Sequence, residues 1–197
     1  MKKKLLIVVF LIFFTGCYNT INKNKKNTES DNISKGSENK KKAIIIFDNN
    51  YRLVYNSAQE RNEIDRKAMI EAKPLLIENF KKVKNKIDDS LSINILPLSY
   101  ILKTNQNSKY ISFNLFVINT SDEIITNFKT KANFSFVNNP YKFSFVTEMQ
   151  DVGMEKLLPN EGVIISYEED ITDQPTEYFN TPQLEDVNVN LSELKIF

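Results

Sequence analysis

The chain has 197 residues, with 26 Lys and Arg against 25 Asp and Glu, so its formal charge of +1 supplies no polycation for nucleic acid. One cysteine and no histidine exclude Ser-His-Asp and Cys-His catalysis, His-ligated metals, Cys-rich zinc sites and any intramolecular disulfide. Four glycines, at 16, 36, 153 and 162, form no phosphate-cradling loop.

The N-terminus reads Met1, then Lys2, Lys3 and Lys4, an unbroken apolar run from Leu5 to Phe14, and then Thr15, Gly16 and Cys17. Ten apolar residues rise only ~15 Å as a helix against a bilayer core of ~30 Å, so the segment predicts a cleavable export signal rather than a membrane span. Thr15-Gly16 before the single cysteine resembles a bacterial lipobox, with Phe14 where an aliphatic is usual. The resemblance implies cleavage between Gly16 and Cys17 and acylation of Cys17. It predicts a chain anchored by lipid to the cell membrane on the extracytoplasmic face.

Residues 18–42 are rich in Asn, Lys, Ser and Thr, with seven lysines against Glu29, Asp31 and Glu38. This composition predicts a flexible tether that, as a coil, spans ~25–30 Å. Residues 43–197 carry 22 acidic against 16 basic residues and have the size of one domain.

That domain opens with apolar Ala43 to Phe47, an Asp48-Asn49-Asn50 turn signal and Tyr51 to Tyr55, predicting a hairpin or two extended pieces. Ser57-Ala58-Gln59-Glu60 reads as a capping box. The helix it starts places Ile64 and Ala68 on one face and is expected to end or kink at Pro74. Leu76, Phe80, Val83 and Ile87 then recur at steps of four, three and four. Lys81, Lys82, Lys84 and Lys86 fall on the other faces and predict a solvated surface. The helical part thus covers 57–87.

After Ser90 the period changes to two. Ile111, Phe113, Leu115 and Val117 alternate with polar neighbours, as do Phe128, Thr130, Ala132, Phe134 and Phe136. Tyr141, Phe143 and Phe145 repeat the pattern after Asn138-Asn139-Pro140, and Val163, Ile165 and Tyr167 after Pro159-Asn160-Glu161-Gly162. Residues 91–197 are therefore expected to form an antiparallel β-sandwich, in a mainly β, α+β domain, and the aromatic supply of a chain with 14 phenylalanines reads as core filling.

Ser57 and Glu60 before a helix, then Ile93-Asn94-Ile95-Leu96-Pro97, Phe116-Val117-Ile118-Asn119 and Leu158-Pro159-Asn160, come in an order that resembles the SLAP domain of bacterial envelope proteins. That family is named for S-layer assembly proteins associated with an accessory Sec system. Phe47, Ser57, Glu60, Arg61, Ile95, Phe116, Asn119 and Pro159 match in order, while Ile118 stands where the family carries Arg and the family's tryptophans are missing. The resemblance spans about Ala43 to Ile171. It implies an immunoglobulin-like, non-enzymatic envelope module and brings no catalytic residues.

Glu168, Glu169, Asp170 and Asp173 gather carboxylates, but without the spacing or central Gly of an EF-hand loop they read as a charged strand end. No metal or cofactor is expected. The sequence predicts an exported, lipid-anchored binding module with an envelope protein or polymer as partner and no nucleic acid. The alternative is an immunity or exclusion lipoprotein that sequesters a peptide toxin or blocks entry at the membrane.

Overall fold

The computed structural model describes residues 40–137, 139–180 and 183–197. Lys40 to Phe197 form one unit. Strands β1 (Ile45–Phe47) and β2 (Tyr51–Leu53) make the expected hairpin. Its turn closes through the Asn50 amide donating to the Phe47 carbonyl at 2.9 Å, with Asp48 and Asn49 at φ 48° and 59°. Asn and Asp tolerate that left-handed backbone better than other side chains, which is why the turn signal works.

Helix α1 (Ser57–Arg61) is capped one residue earlier than the sequence suggested. The Asn56 side chain accepts from the Ala58 and Gln59 amides, and Gln59 Oε1 accepts from the Asn56 amide. Asn62 then interrupts the helix and caps α2 (Glu63–Val83), accepting from the Ile64 and Asp65 amides. Pro74 does not end α2. The amide that Pro74 lacks would have bonded the Ile70 carbonyl, and both residues lie on the exposed side, where water can take that oxygen. Ile64 is 76% exposed, contrary to its expected place on the packed face, which is made by Met69, Leu76, Phe80 and Val83.

Lys81, Lys82 and Lys84 are exposed, but Lys86 is not part of a solvated face. Its ammonium donates to the carbonyls of Glu185 and Val187 at 2.6 and 2.8 Å and to Asn188 Oδ1 at 2.8 Å, bolting the end of the helical part to the C-terminal strand.

The remaining strands are β3 (Ile93–Thr104), β4 (Lys109–Asn119), β5 (Phe128–Phe136), β6 (Asn139–Glu148), β7 (Glu161–Asp170) and β8 (Val187–Ile196). The short helices α3 (Met149–Val152) and α4 (Glu177–Asn180) lie in connections. One sheet has the order β1-β2-β7-β4-β3 and the other β6-β5-β8. The domain is mainly β with an N-terminal helical part. Within residues 91–197 the strand ladders are antiparallel, as expected, whereas β2 of the N-terminal part pairs with β7 in parallel through Arg52 with Glu161 and Leu53 with Gly162. More than 100 residues separate the two strands, ample for the crossover that a parallel pair requires.

The alternation read from the sequence decides the layers. Ile111, Phe113, Leu115 and Val117 of β4 join Phe128, Ala132, Phe134 and Phe136 of β5 in one core between the sheets. Phe113 lies 5.2 Å from Phe134, and Phe134 stacks on Phe143 at 4.5 Å. On the other face of β4, Phe116 meets Phe47 at 5.2 Å and Phe80 of α2 at 6.4 Å, with Phe47 and Phe80 stacked at 4.4 Å. Helix, five-stranded sheet and three-stranded sheet therefore form three layers.

A Cβ on Gly162 would stand 2.4 Å from the Val117 carbonyl oxygen and 2.6 Å from the Phe116 ring. Gly162→Ala is expected to cost about 3 kcal/mol in urea denaturation, because the nearest obstacle is backbone and cannot move aside. In the same assay Phe134→Ala should cost ~3–5 kcal/mol and Lys131→Ala no more than ~0.5 kcal/mol. Reversed magnitudes would turn the β5 register over.

Candidate functional site

The four carboxylates near the end of β7 do not converge. The period of two sends Glu168 and Asp170 to the outer face of the five-stranded sheet and Glu169 to the inner one. Lys103 bonds Glu168 and holds its carboxyl below the usual range. Asp170 Oδ1 accepts from the Thr172 hydroxyl at 2.6 Å and amide at 2.8 Å, which lowers its pKa. Asp173 lies exposed beyond the strand. Among the described residues no group of three or more Cys, Asp and Glu side chains is placed to hold a metal.

Glu169 instead organises two phenols. It accepts from Tyr141 at 2.9 Å and from Tyr167 at 2.6 Å, beside half-buried Phe143 and Phe145. Burial and then the Glu169 carboxylate push the Tyr141 hydroxyl up to about 12 and raise that of Tyr167 as well. Both phenols are fixed donors at neutral pH, unsuited to nucleophilic work.

A second constellation sits where the chain enters the domain. The Ile44 amide bonds the Leu53 carbonyl at 2.8 Å, and the Arg52 and Val54 amides bond Asn160 and Gly162 at 2.7 and 3.0 Å. Arg52 Nη1 meets Glu161 Oε2 at 2.9 Å while Nη2 donates to the Lys41 carbonyl. Glu161 is 2% exposed; burial raises its pKa, and Arg52 pulls the other way. Lys41 in turn donates to Glu60 at 2.8 Å and to the Tyr55 carbonyl at 3.2 Å, which lowers the Glu60 pKa.

Around this junction lies a cleft of about 390 Å³, lined on its polar side by Lys41, Lys42, Glu60 and Lys73 and otherwise by Ala43, Ile44, Tyr55 and Ile70. Lys42 and Lys73 make no hydrogen bond or ion pair among the described residues. The cleft combines cationic groups with apolar surface.

Sequence reasoning missed this junction. Its one visible signal is arginine scarcity: three Arg stand among 23 Lys, and two of them, Arg52 and Arg66, hold backbone carbonyls. A planar fork cannot be replaced by an ammonium where two acceptors must be held at fixed angles. The proposed lipidation and cleavage residues, Cys17 and Gly16, lie outside the described residues.

No protein-family model and no curated protein sequence matches the chain. A solved structure of the Salmonella enterica trimeric lipoprotein SadB is similar over 53% of this chain and 64% of its own, with 13% identity and a TM-score of 0.22. The chain thus covers a little under two thirds of that structure, and likeness at this level carries no argument for fold or function.

The tyrosines predict alkaline behaviour. Unfolded phenols titrate near ~10, whereas Tyr100 and Tyr141 are raised to about 12 and Tyr167 is also raised. Raised groups bind protons more tightly in the native state, so their contribution is complete below the unfolded pKa and is lost as pH rises through the folded values. Tyrosinate absorbance should lag behind that of free tyrosine and rise together with loss of the far-ultraviolet β signal. Full ionisation near pH 10 in a still-folded protein would contradict the buried phenol cluster.

Proposed function

We propose that the chain is an exported, lipid-anchored cell-envelope binding module without catalytic activity. It is held on the extracytoplasmic face by acylated Cys17 and contacts a surface or secretion component. The observation that supports this most is the junction itself. The β1–β2 hairpin, the first pair of strands of the domain, is tied to β7 by the parallel pair and the Arg52–Glu161 ion pair. A module that binds a partner while anchored transmits pull along its tether to this point, and a hairpin locked into the sheet resists being peeled away.

The dispersal of Glu168, Glu169 and Asp170 into separate structural bonds supports a binding rather than a hydrolytic role. The two facing sheets, with antiparallel ladders on both sides of β4 and β5, support the immunoglobulin-like and SLAP-like reading. The parallel β2–β7 pair departs from it.

Cys17→Ser should remove palmitate label and release the protein from membranes, since each buried acyl methylene contributes ~0.8 kcal/mol to binding. Label retained in the variant would overturn the anchor. Cross-linking of the anchored protein in cells, followed by pull-down, should recover an envelope or secretion component. Protection of the cell from a peptide toxin, with no such component recovered, would point instead to immunity.

A further inference from the structure

We infer that the cleft at the tether junction is a headgroup site for anionic phospholipid, which seats the domain on the membrane that holds Cys17; this rests on the lipid-anchor reading. Lys41 is already compensated by Glu60, so Lys42 and Lys73 bring the uncompensated charge to the cleft. Beside them Ile44, Tyr55 and Ile70 supply apolar lining, and Ile70 remains 59% exposed. A small hydrated anion would satisfy the ammonium groups and leave Ile70 in water. A phospholipid at the bilayer interface presents a phosphate and an acyl region within one molecule, and it satisfies both.

Charge also says what does not fill the cleft. Residues 18–39 carry four lysines against Glu29, Asp31 and Glu38, a net charge of +1, so as a whole they do not neutralise the two ammonium groups. As the flexible coil proposed from its composition, the tether has a root-mean-square span of ~25–30 Å, which makes seating an intramolecular event at high effective concentration. The domain itself carries 22 acidic against 16 basic residues, so an anionic bilayer repels it on average, and a local cationic cleft is what fixes which side faces the lipid.

The chain has no tryptophan, so Ile70→Trp gives a single emission signal from the cleft, and Val146→Trp, exposed on β6 and outside the cleft lining, serves as the reference. The lipid-anchored full chain is reconstituted into vesicles of phosphatidylcholine alone or with phosphatidylglycerol. Flotation reports the anchor, and emission with quenching by brominated lipid reports the cleft. Expected is flotation with both vesicles, and a blue shift with quenching for Ile70→Trp in the anionic vesicles only. Val146→Trp should stay unchanged. Adding Lys42→Gln and Lys73→Gln should lower the seated-to-free ratio about 25-fold, roughly fivefold per lysine, with flotation retained.

Equal emission in the two vesicles, or a shift that survives loss of both lysines, would overturn the cleft while leaving the anchor intact. A shift produced equally by soluble glycerol phosphate without vesicles would also overturn the membrane assignment. Failure to float would overturn the anchor alone. Hydrogen exchange at Tyr55 in the tryptophan-free chain repeats the test without any reporter: slowing relative to the vesicle-free protein is expected only in anionic vesicles, and its absence there counts against the site.

Discussion

Strand β4 has to keep both of its faces out of water along half its length. From Leu115 to Asn119 every residue is fully buried. Leu115 and Val117 look toward the three-stranded sheet, and Phe116 and Ile118 look the other way. A two-layer sandwich can bury only one of these sets, so a third layer is obligatory, and α2 with Phe80 supplies it over the Phe47–Phe116 pair. The helix covers only this half. Further along, Asn114 bonds Ser99 at 2.9 Å and accepts from Ser166 at 3.1 Å, and Lys103 meets Glu168, so the uncovered part of the same face is polar. The boundary between apolar and polar on one side of one strand is the edge of the helix.

Burying β4 on both faces also strips water from the backbone at its ends, and asparagines replace it. Asn119 donates to the Glu123 and Leu157 carbonyls at 2.7 and 3.0 Å and accepts from the Ser121 amide at 2.9 Å. Asn94 bridges Asp88 and Thr120. Asn79 donates to the Leu98 carbonyl at 2.7 Å beside the irregularity between Pro97 and Ser99 that shifts the β3 register. Each side chain removes an unmet acceptor or donor that would cost ~1–3 kcal/mol. Among the described residues Thr147 Oγ1 is the buried side-chain atom left without a partner. The wealth of asparagine in this chain is therefore not only compositional: several asparagines act as ties between strand ends and connections.

This division of labour explains what could be read in advance. Alternation at Phe113, Phe134 and Phe143 is a direct image of a two-faced sheet, so the inner core was legible residue by residue. Phe116 breaks that alternation on β4, and only the helix opposite gives the break a meaning. Ser57 and Glu60 fit a capping box on paper, yet Asn56 and Gln59 form it. The Gln59 amide nitrogen also donates to the Ile164 carbonyl at 2.8 Å, a contact 105 residues away that local pattern cannot show. That the helix continues past Pro74 has a related reason, since the cost of that proline depends on whether the orphaned carbonyl is wet, and exposure is a tertiary property. The junction cleft joins residues from 41 to 73 whose types are common in this chain, so only their juxtaposition carries information.

The lysines show the same dependence of chemistry on place. Lys86, Lys103 and Lys42 are identical as letters. Lys86 sits among three oxygens of the C-terminal segment, and burial lowers its pKa, so its charge serves the fold. Lys103 pairs with a carboxylate across the open sheet face, where solvent screening limits its worth. Lys42, at the mouth of the domain, meets no acceptor among the described residues, and a charge that folding leaves unused is free to act on something outside the chain. Net charge averages these three situations to almost nothing. The informative quantity is the cation whose nearest neighbours are apolar, because water alone solvates it in the free protein and an anion arriving with its own apolar portion can replace that water on both counts.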